Sequence, residues 1–245
     1  MYKEIENRIF KGLKSTCSDA ILFNHEFEDD IRPEYLITVN IAKAIGELNS
    51  APGSPLIVRL EESTKEFTTR CVPDMSWEGS QDSIKIFAPT IFRNRHNTER
   101  NGRFDICVYE GQYEKPVTAI ELKLIDPTEQ AIKDDIARLS EILHLNDNTG
   151  TSKVKYTYFA CVEINKDIKF KNQRQGNLAA VKEKYHKWLE NLTDDKTGFD
   201  VCALNIDDLK TLTANKMTGD PIFDSDLVAY AKHYVGVIVR LMKKV

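Results

Sequence analysis

Apolar residues recur along this chain at two periods. Ile5, Ile9, Phe10 and Leu13 fall at helical spacing and predict a short amphipathic helix over residues 2–14. Asn24-His-Glu-Phe-Glu-Asp-Asp30 is then an acidic loop, in which His25 reads as a surface residue. Pro33 opens a second helix that runs to about Leu48, with Ile37, Ile41, Ala44, Ile45 and Leu48 as its stripe. After the loop at residues 49–55, Leu56 to Leu60 reads as a strand. Residues 61–81 are polar, carry Pro73, Trp77 and Gly79, and read as an insertion or flap. Ser83-Ile-Lys-Ile-Phe87 alternates and is expected to be the first core strand.

The clearest period of two lies between Gly102 and Leu124. Ile106 and Val108 alternate with Asp105, Cys107 and Tyr109, and Ile120, Leu122 and Leu124 alternate with Ala119, Glu121 and Lys123. Gly111 and Pro116 break the run, so the pattern predicts a hairpin. Centred on Tyr113, it sets Asp105 directly across from Glu121, about 5 Å apart at Cβ. Glu121 and Lys123 share a face. Asp126-Pro-Thr-Glu129 has the order of a helix start, and Ile132, Ile136, Leu139 and Leu143 form the stripe of a helix reaching about Leu145. Gln130, Lys133 and Arg138 sit on that helix, with nothing to choose among them. Val154 to Ile164 is strand-like, with Tyr156, Tyr158, Ala160 and Val162 on one face. It is expected to pair parallel to a central strand, as a crossover after a helix requires. Arg174 to Leu192 reads as a helix with Lys182, Lys184 and Lys187 on its polar face. Phe199 to Ile206 reads as a last strand. Asp224 or Ser225 is expected to cap a long C-terminal helix ending near Lys244. With no repeat or linker, residues 1–245 are expected to form one α/β domain.

Composition narrows the function. The 245 residues are 41% hydrophobic and 29% charged, ordinary for a globular chain. A formal net charge of −4 argues against bulk adhesion to nucleic acid, whose affinity rests on neutralising phosphates. A local basic groove is still open to it. Arg93, Arg95, Arg100 and Arg103 lie within eleven residues, just before Asp105, and arginine forks suit phosphate. His96 is near but has only proximity in its favour. No apolar run approaches the roughly 20 residues of a membrane span. Met-Tyr-Lys-Glu-Ile-Glu at the N-terminus lacks a signal-peptide segment, so a cytoplasmic place and no membrane partner are expected. Cys17, Cys71, Cys107, Cys161 and Cys202 are isolated and odd in number, suggesting neither zinc nor a disulfide framework.

Two carboxylates held that close need a cation between them or a shared proton. Mg²⁺ takes oxygen ligands and is commonly held by one or two carboxylates. Asp105 followed by Glu121-Leu122-Lys123 on an apolar strand resembles the PD-(D/E)xK nuclease superfamily. The proline that opens that family's motif is absent, and Phe104 precedes Asp105. Asp167-Ile-Lys169, Asp194-Asp-Lys196 and Asp208-Leu-Lys210 share the acid-x-Lys spacing but not the alternating apolar strand with an acid upstream. The resemblance implies a restriction-endonuclease-like αβββαβ core, here with an extra strand and helix after it, and Mg²⁺- or Mn²⁺-dependent cleavage of DNA. Asp105 and Glu121 would hold the metal and Lys123 would position or activate water. Glu34, on the first core helix, would take the acidic role the family often places there, near the metal. Arg93, Arg95, Arg100 and Arg103 would contact nucleic acid. The residues do not separate DNA from RNA, and they leave a homo-oligomer or a partner protein open. The alternative is an inactive binding module or complex subunit on the same fold. Nucleotide and cofactor enzymes fit less well, since no GxGxxG, P-loop or GxSxG is present.

Overall fold

The computed structural model describes residues 1–24, 33–50, 55–71, 102–111, 114–147, 150–165, 171–190, 192, 196–207 and 233–244. Among these, five α-helices pack on a six-stranded mixed open sheet, so the chain is an α/β protein. Helix α1 spans Tyr2–Asn24 and α2 spans Pro33–Gly46, followed by a 3-10 turn at Glu47–Ser50. Strand β1 (Leu56–Ser63) and α3 (Thr64–Cys71) precede β2 (Arg103–Glu110) and β3 (Lys115–Ile125). Helix α4 (Glu129–Leu143) leads through the small β4–β5 pair (Asn146–Asp147 and Gly150–Thr151) to β6 (Tyr156–Asn165). Helix α5 (Lys171–Leu189), β7 (Thr197–Asn205) and β8 (His233–Lys243) complete the described elements.

The sheet runs β1-β2-β3-β6-β8-β7. The β3–β6 pair is parallel and every other neighbour in this sheet is antiparallel. Alternation along the strands sends side chains into two cores. Ile106, Val108, Ile120, Leu122, Tyr158 and Ala160 meet Ile5, Ile9 and Leu13 of α1 and Ile37, Ile41 and Ile45 of α2. Cys107, Tyr109, Ala119, Phe159 and Cys161 meet Phe67 of α3, Ile132, Ile136 and Leu139 of α4, and Tyr185 of α5. The expected parallel crossover strand is therefore present, and Tyr158, Ala160 and Val162 share one core as its pattern implied.

Several elements differ from expectation. Helix α1 continues to Asn24 because the stripe goes on through Cys17 and Ala20, both buried. Thr128, not Asp126, caps α4: its hydroxyl accepts from the Ala131 N–H at 3.3 Å. Asp126 has φ 46° and accepts from the Ile164 N–H at 2.9 Å, closing the end of β3 against β6. The polar stretch after β1 contains α3, which buries Phe67 and Cys71. Strand β1 takes the outer place beside β2, while residues 83–87 lie outside the described residues. The largest correction is at the C-terminus. Residues 233–243 form a strand between β6 and β7 instead of the second half of a helix. Val235, Val237, Ile238 and Val239 are buried on both faces, and a β-branched run flanked on both sides by strands needs no alternation. The expected caps Asp224 and Ser225, and His25 in the acidic loop, fall outside the described residues.

Helices α1 and α2 cross at Gly12. A Cβ there would lie 2.5 Å from the Ile41 Cα, which is backbone and cannot turn aside. In a free helix, Gly→Ala would gain about 1 kcal/mol. Gly12→Ala is expected to do the reverse, lowering stability by about 1–3 kcal/mol through overpacking. Urea unfolding checks the sign, and a higher midpoint would contradict this crossing.

Candidate active site

The β2–β3 hairpin is the element that gathers charged groups. Its backbone pairs run from Glu110↔Lys115, through a register shift between Val108 and Tyr109, to Ile106↔Ile120. Gly111 (φ 72°) and Glu114 (φ 50°) turn the connection. One step beyond the last pair, the same register sets Asp105 opposite Glu121. There the Leu122 N–H donates to Asp105 Oδ2 at 2.6 Å. A carboxylate thus takes an amide that a strand carbonyl would otherwise accept, and the two strands part at this point.

Glu121 and Lys123 point to the α4 face. Helix α4 answers with Asp135 and Arg138, one helical turn apart. Lys123 Nζ lies 3.1 Å from Asp135 Oδ2. Arg138 Nη2 lies 2.8 Å from Asp135 Oδ1 and 2.6 Å from Glu121 Oε1. The Arg138 guanidinium also sits over the Phe104 ring, 5.6 Å from its centre. Glu121 is 2% exposed and Asp135 6%, so three carboxylates and two cations form a nearly closed cluster.

Burial dominates the ionisation of the acids. It pushes the Glu121 carboxyl up to about 9, aided by the charge of Asp105 and opposed by Arg138. Asp105 rises to about 6, again by burial, with the Leu122 N–H, Lys123 and a hydrogen bond to Glu121 pulling the other way. These values belong to the pair, which holds one shared proton near neutral pH. For Lys123, burial opposes the charge, but Asp135, then Asp105 and Glu34, outweigh it and raise its pKa. Lys123 is therefore a lasting ammonium.

The residues picked out from the sequence separate here. Asp105, Glu121 and Lys123 come together. Glu34 is exposed in the first turn of α2, and its field reaches Lys123 as a minor influence, with no hydrogen bond or ion pair to Asp105 or Glu121. Arg103 is exposed at the start of β2. Arg93, Arg95, Arg100 and His96 lie outside the described residues. Asp135 was missed by sequence reasoning, although it falls between Ile132 and Ile136 on the buried stripe, where an acid needs a partner. Glu61 was missed too. It stands across β2 from Asp105, has φ 52°, and adds a small push to the Asp105 pKa.

The donor set suits a hard divalent ion: Asp105 and Glu121 supply carboxylate oxygen, the ligand type Mg²⁺ and Mn²⁺ prefer. Glu121 Oε1 is buried and, despite Arg138 at 2.6 Å, no N–H is directed at it. That is an acceptor with a cation beside it but no directed hydrogen bond. Among the described residues, however, no three His, Cys, Asp or Glu side chains are grouped to hold a metal ion, so these residues offer the carboxylates of Asp105 and Glu121. Water and substrate oxygens would have to fill the rest of such a shell.

The shared proton has a consequence for stability without metal. Both carboxyls titrate above their ordinary range, so the folded state holds a proton that the unfolded chain has released. Stability is then expected to fall as pH rises from about 5 to about 9, by on the order of 1 kcal/mol per pH unit. Glu121→Gln carries no such proton and should flatten the decline. Urea midpoints of both proteins in EDTA across that range check it, and parallel profiles would refute the shared proton.

No family model, no curated protein and no solved structure matches this chain, so the reading of its function rests on its own residues.

Proposed function

We propose that the protein is a metal-dependent nuclease of the PD-(D/E)xK kind, hydrolysing phosphodiester bonds with DNA as the first substrate to try. One observation carries this reading: Asp105 faces Glu121 across a hairpin, with Lys123 one step along the same face and a buried Glu121 oxygen that no hydrogen-bond donor is directed at. With α3 set between β1 and β2 and the β4–β5 pair before β6, the elements α2, β1, β2, β3, α4 and β6 follow the order helix, three strands, helix, strand, which supports the restriction-endonuclease-like core that the motif implies.

In this reading Asp105 and Glu121 hold Mg²⁺ or Mn²⁺. When bound, the ion lowers the pKa of its water and offsets charge on the phosphoryl group. The chain's own residues do the rest. Lys123, held as an ammonium by Asp135, orients water and offsets negative charge developing on a phosphate oxygen. Because it keeps its proton, it does not serve as the base. Arg103 is placed to grip phosphate two residues from Asp105. Glu34 has a weaker claim than the motif assigns it and acts at most through water or at longer range.

A second reading has an observation of its own. Arg138 already neutralises Glu121, as it would in a binding module that uses no metal. Calorimetric titration of Mn²⁺ separates the two, run beside cleavage assays on DNA and RNA. A nuclease binds Mn²⁺ and cuts, and Asp105→Ala loses both. Lys123→Ala should keep its fold and Mn²⁺ binding while cleavage falls at least about 100-fold. Wild-type protein that neither binds Mn²⁺ nor cuts would hand the case to the binding module.

A further inference from the structure

We propose that Arg138 is an internal cation that the metal displaces from Glu121, and that the freed guanidinium then binds the phosphate of the substrate. This inference rests on the nuclease reading and adds to it a residue that couples metal loading to substrate binding.

The geometry makes Arg138 and a metal competitors. Arg138 Nη2 stands 2.6 Å from Glu121 Oε1, the oxygen that has no hydrogen-bond donor directed at it. A divalent ion on the same oxygen would sit at about 2.1 Å from it. The guanidinium and the ion would then be nearest neighbours in a site that is almost dry. Their repulsion there is far stronger than it would be in water. On that oxygen the two compete.

The rest of the cluster is arranged for movement of Arg138 and not for its loss. Its other anchor is Asp135 Oδ1 at 2.8 Å, which does not depend on Glu121. Asp135 also holds Lys123 at 3.1 Å, so it stays in place while Arg138 turns. The Arg138 side chain is 23% exposed, against 2% for that of Glu121, and therefore opens toward solvent. Its Nε is buried with no hydrogen-bond partner, so the fork is only partly used where it now lies. A phosphate would accept from the vacated face of the fork in the bidentate way that suits guanidinium.

Arg138→Met tests this, with Arg138→Gln as a second variant and urea midpoints to show that each is folded. Mn²⁺ titration should give a Kd at least about tenfold lower than wild type, because the competing cation is gone. Cleavage at saturating Mn²⁺ should fall, with KM for the nucleic acid rising. A merely structural arginine would weaken Mn²⁺ binding and cleavage together. If both folded variants bind Mn²⁺ no more tightly than wild type, the inference is overturned. Asp105→Ala distinguishes its failure from that of the nuclease reading. Should that variant lose Mn²⁺ binding while Arg138→Met leaves Kd unchanged, only the inference falls. Absence of Mn²⁺ binding in the wild type would sink both, whether or not the Arg138 variants bind it.

Discussion

Two carboxyl groups held together away from water set the terms for this end of the molecule. Asp105 and Glu121 are brought opposite one another by the hairpin register, and burial makes a doubly charged pair costly. The pair can be relieved by a proton, an internal cation or a metal ion. The raised pKa values favour a proton on the pair, Arg138 stands beside Glu121, and the cluster around them follows from that need. Asp135 occurs on a buried stripe because two cations face it. Phe104 offers its ring to Arg138 where its strand leaves the ladder. Even the parting of β2 and β3 belongs to the same device, since Asp105 takes the Leu122 amide where the backbone ladder ends.

The fold sets this pair beneath a helix. Parallel pairing of β3 with β6 requires a crossover, and α4 is that crossover. The helix is thereby laid over the face that carries Glu121 and Lys123. A hairpin alone would have left those side chains in solvent with ordinary ionisation. The helix buries them and supplies the compensating charges, so one topological requirement both perturbs the acids and neutralises them. Helices α1 and α2 take the other face, which is wholly apolar in its centre and carries none of this chemistry.

The hairpin register was legible in the sequence because strict alternation and a defined break leave few ways to pair two strands. Asp105 opposite Glu121 followed from counting residues about Tyr113, and the bulge near Tyr109 leaves that count intact at the site. Asp135 was legible in principle: an acid in phase with Ile132, Ile136 and Leu139 cannot be a solvated residue. Arg138 was among three polar candidates on α4, and only its partners set it apart. Glu34 was picked by helical phase, which says which edge a residue occupies but not how far it lies from a neighbouring strand, and it stands exposed with a minor field at Lys123. Strand β8 was misread for a different reason. Its apolar run is buried on both faces, so it has no period to read, and its β-branched content was the better guide.

Lysine in an acid-x-lysine motif is open to three roles: base, positioner of water, and counter-charge. The surroundings of Lys123 decide among them. A lysine becomes a base near neutral pH when burial outweighs its anions. Here the balance runs the other way, because Asp135 stands 3.1 Å away and Asp105 adds to its field. A metal at the carboxylate pair would weaken that field, but Asp135 lies beyond the pair and keeps its hold. The residue that makes Lys123 a steady positive charge is therefore also the one that anchors Arg138. Asp135 carries no chemistry of its own in this arrangement, yet it sets both cations, Lys123 at Oδ2 and Arg138 at Oδ1.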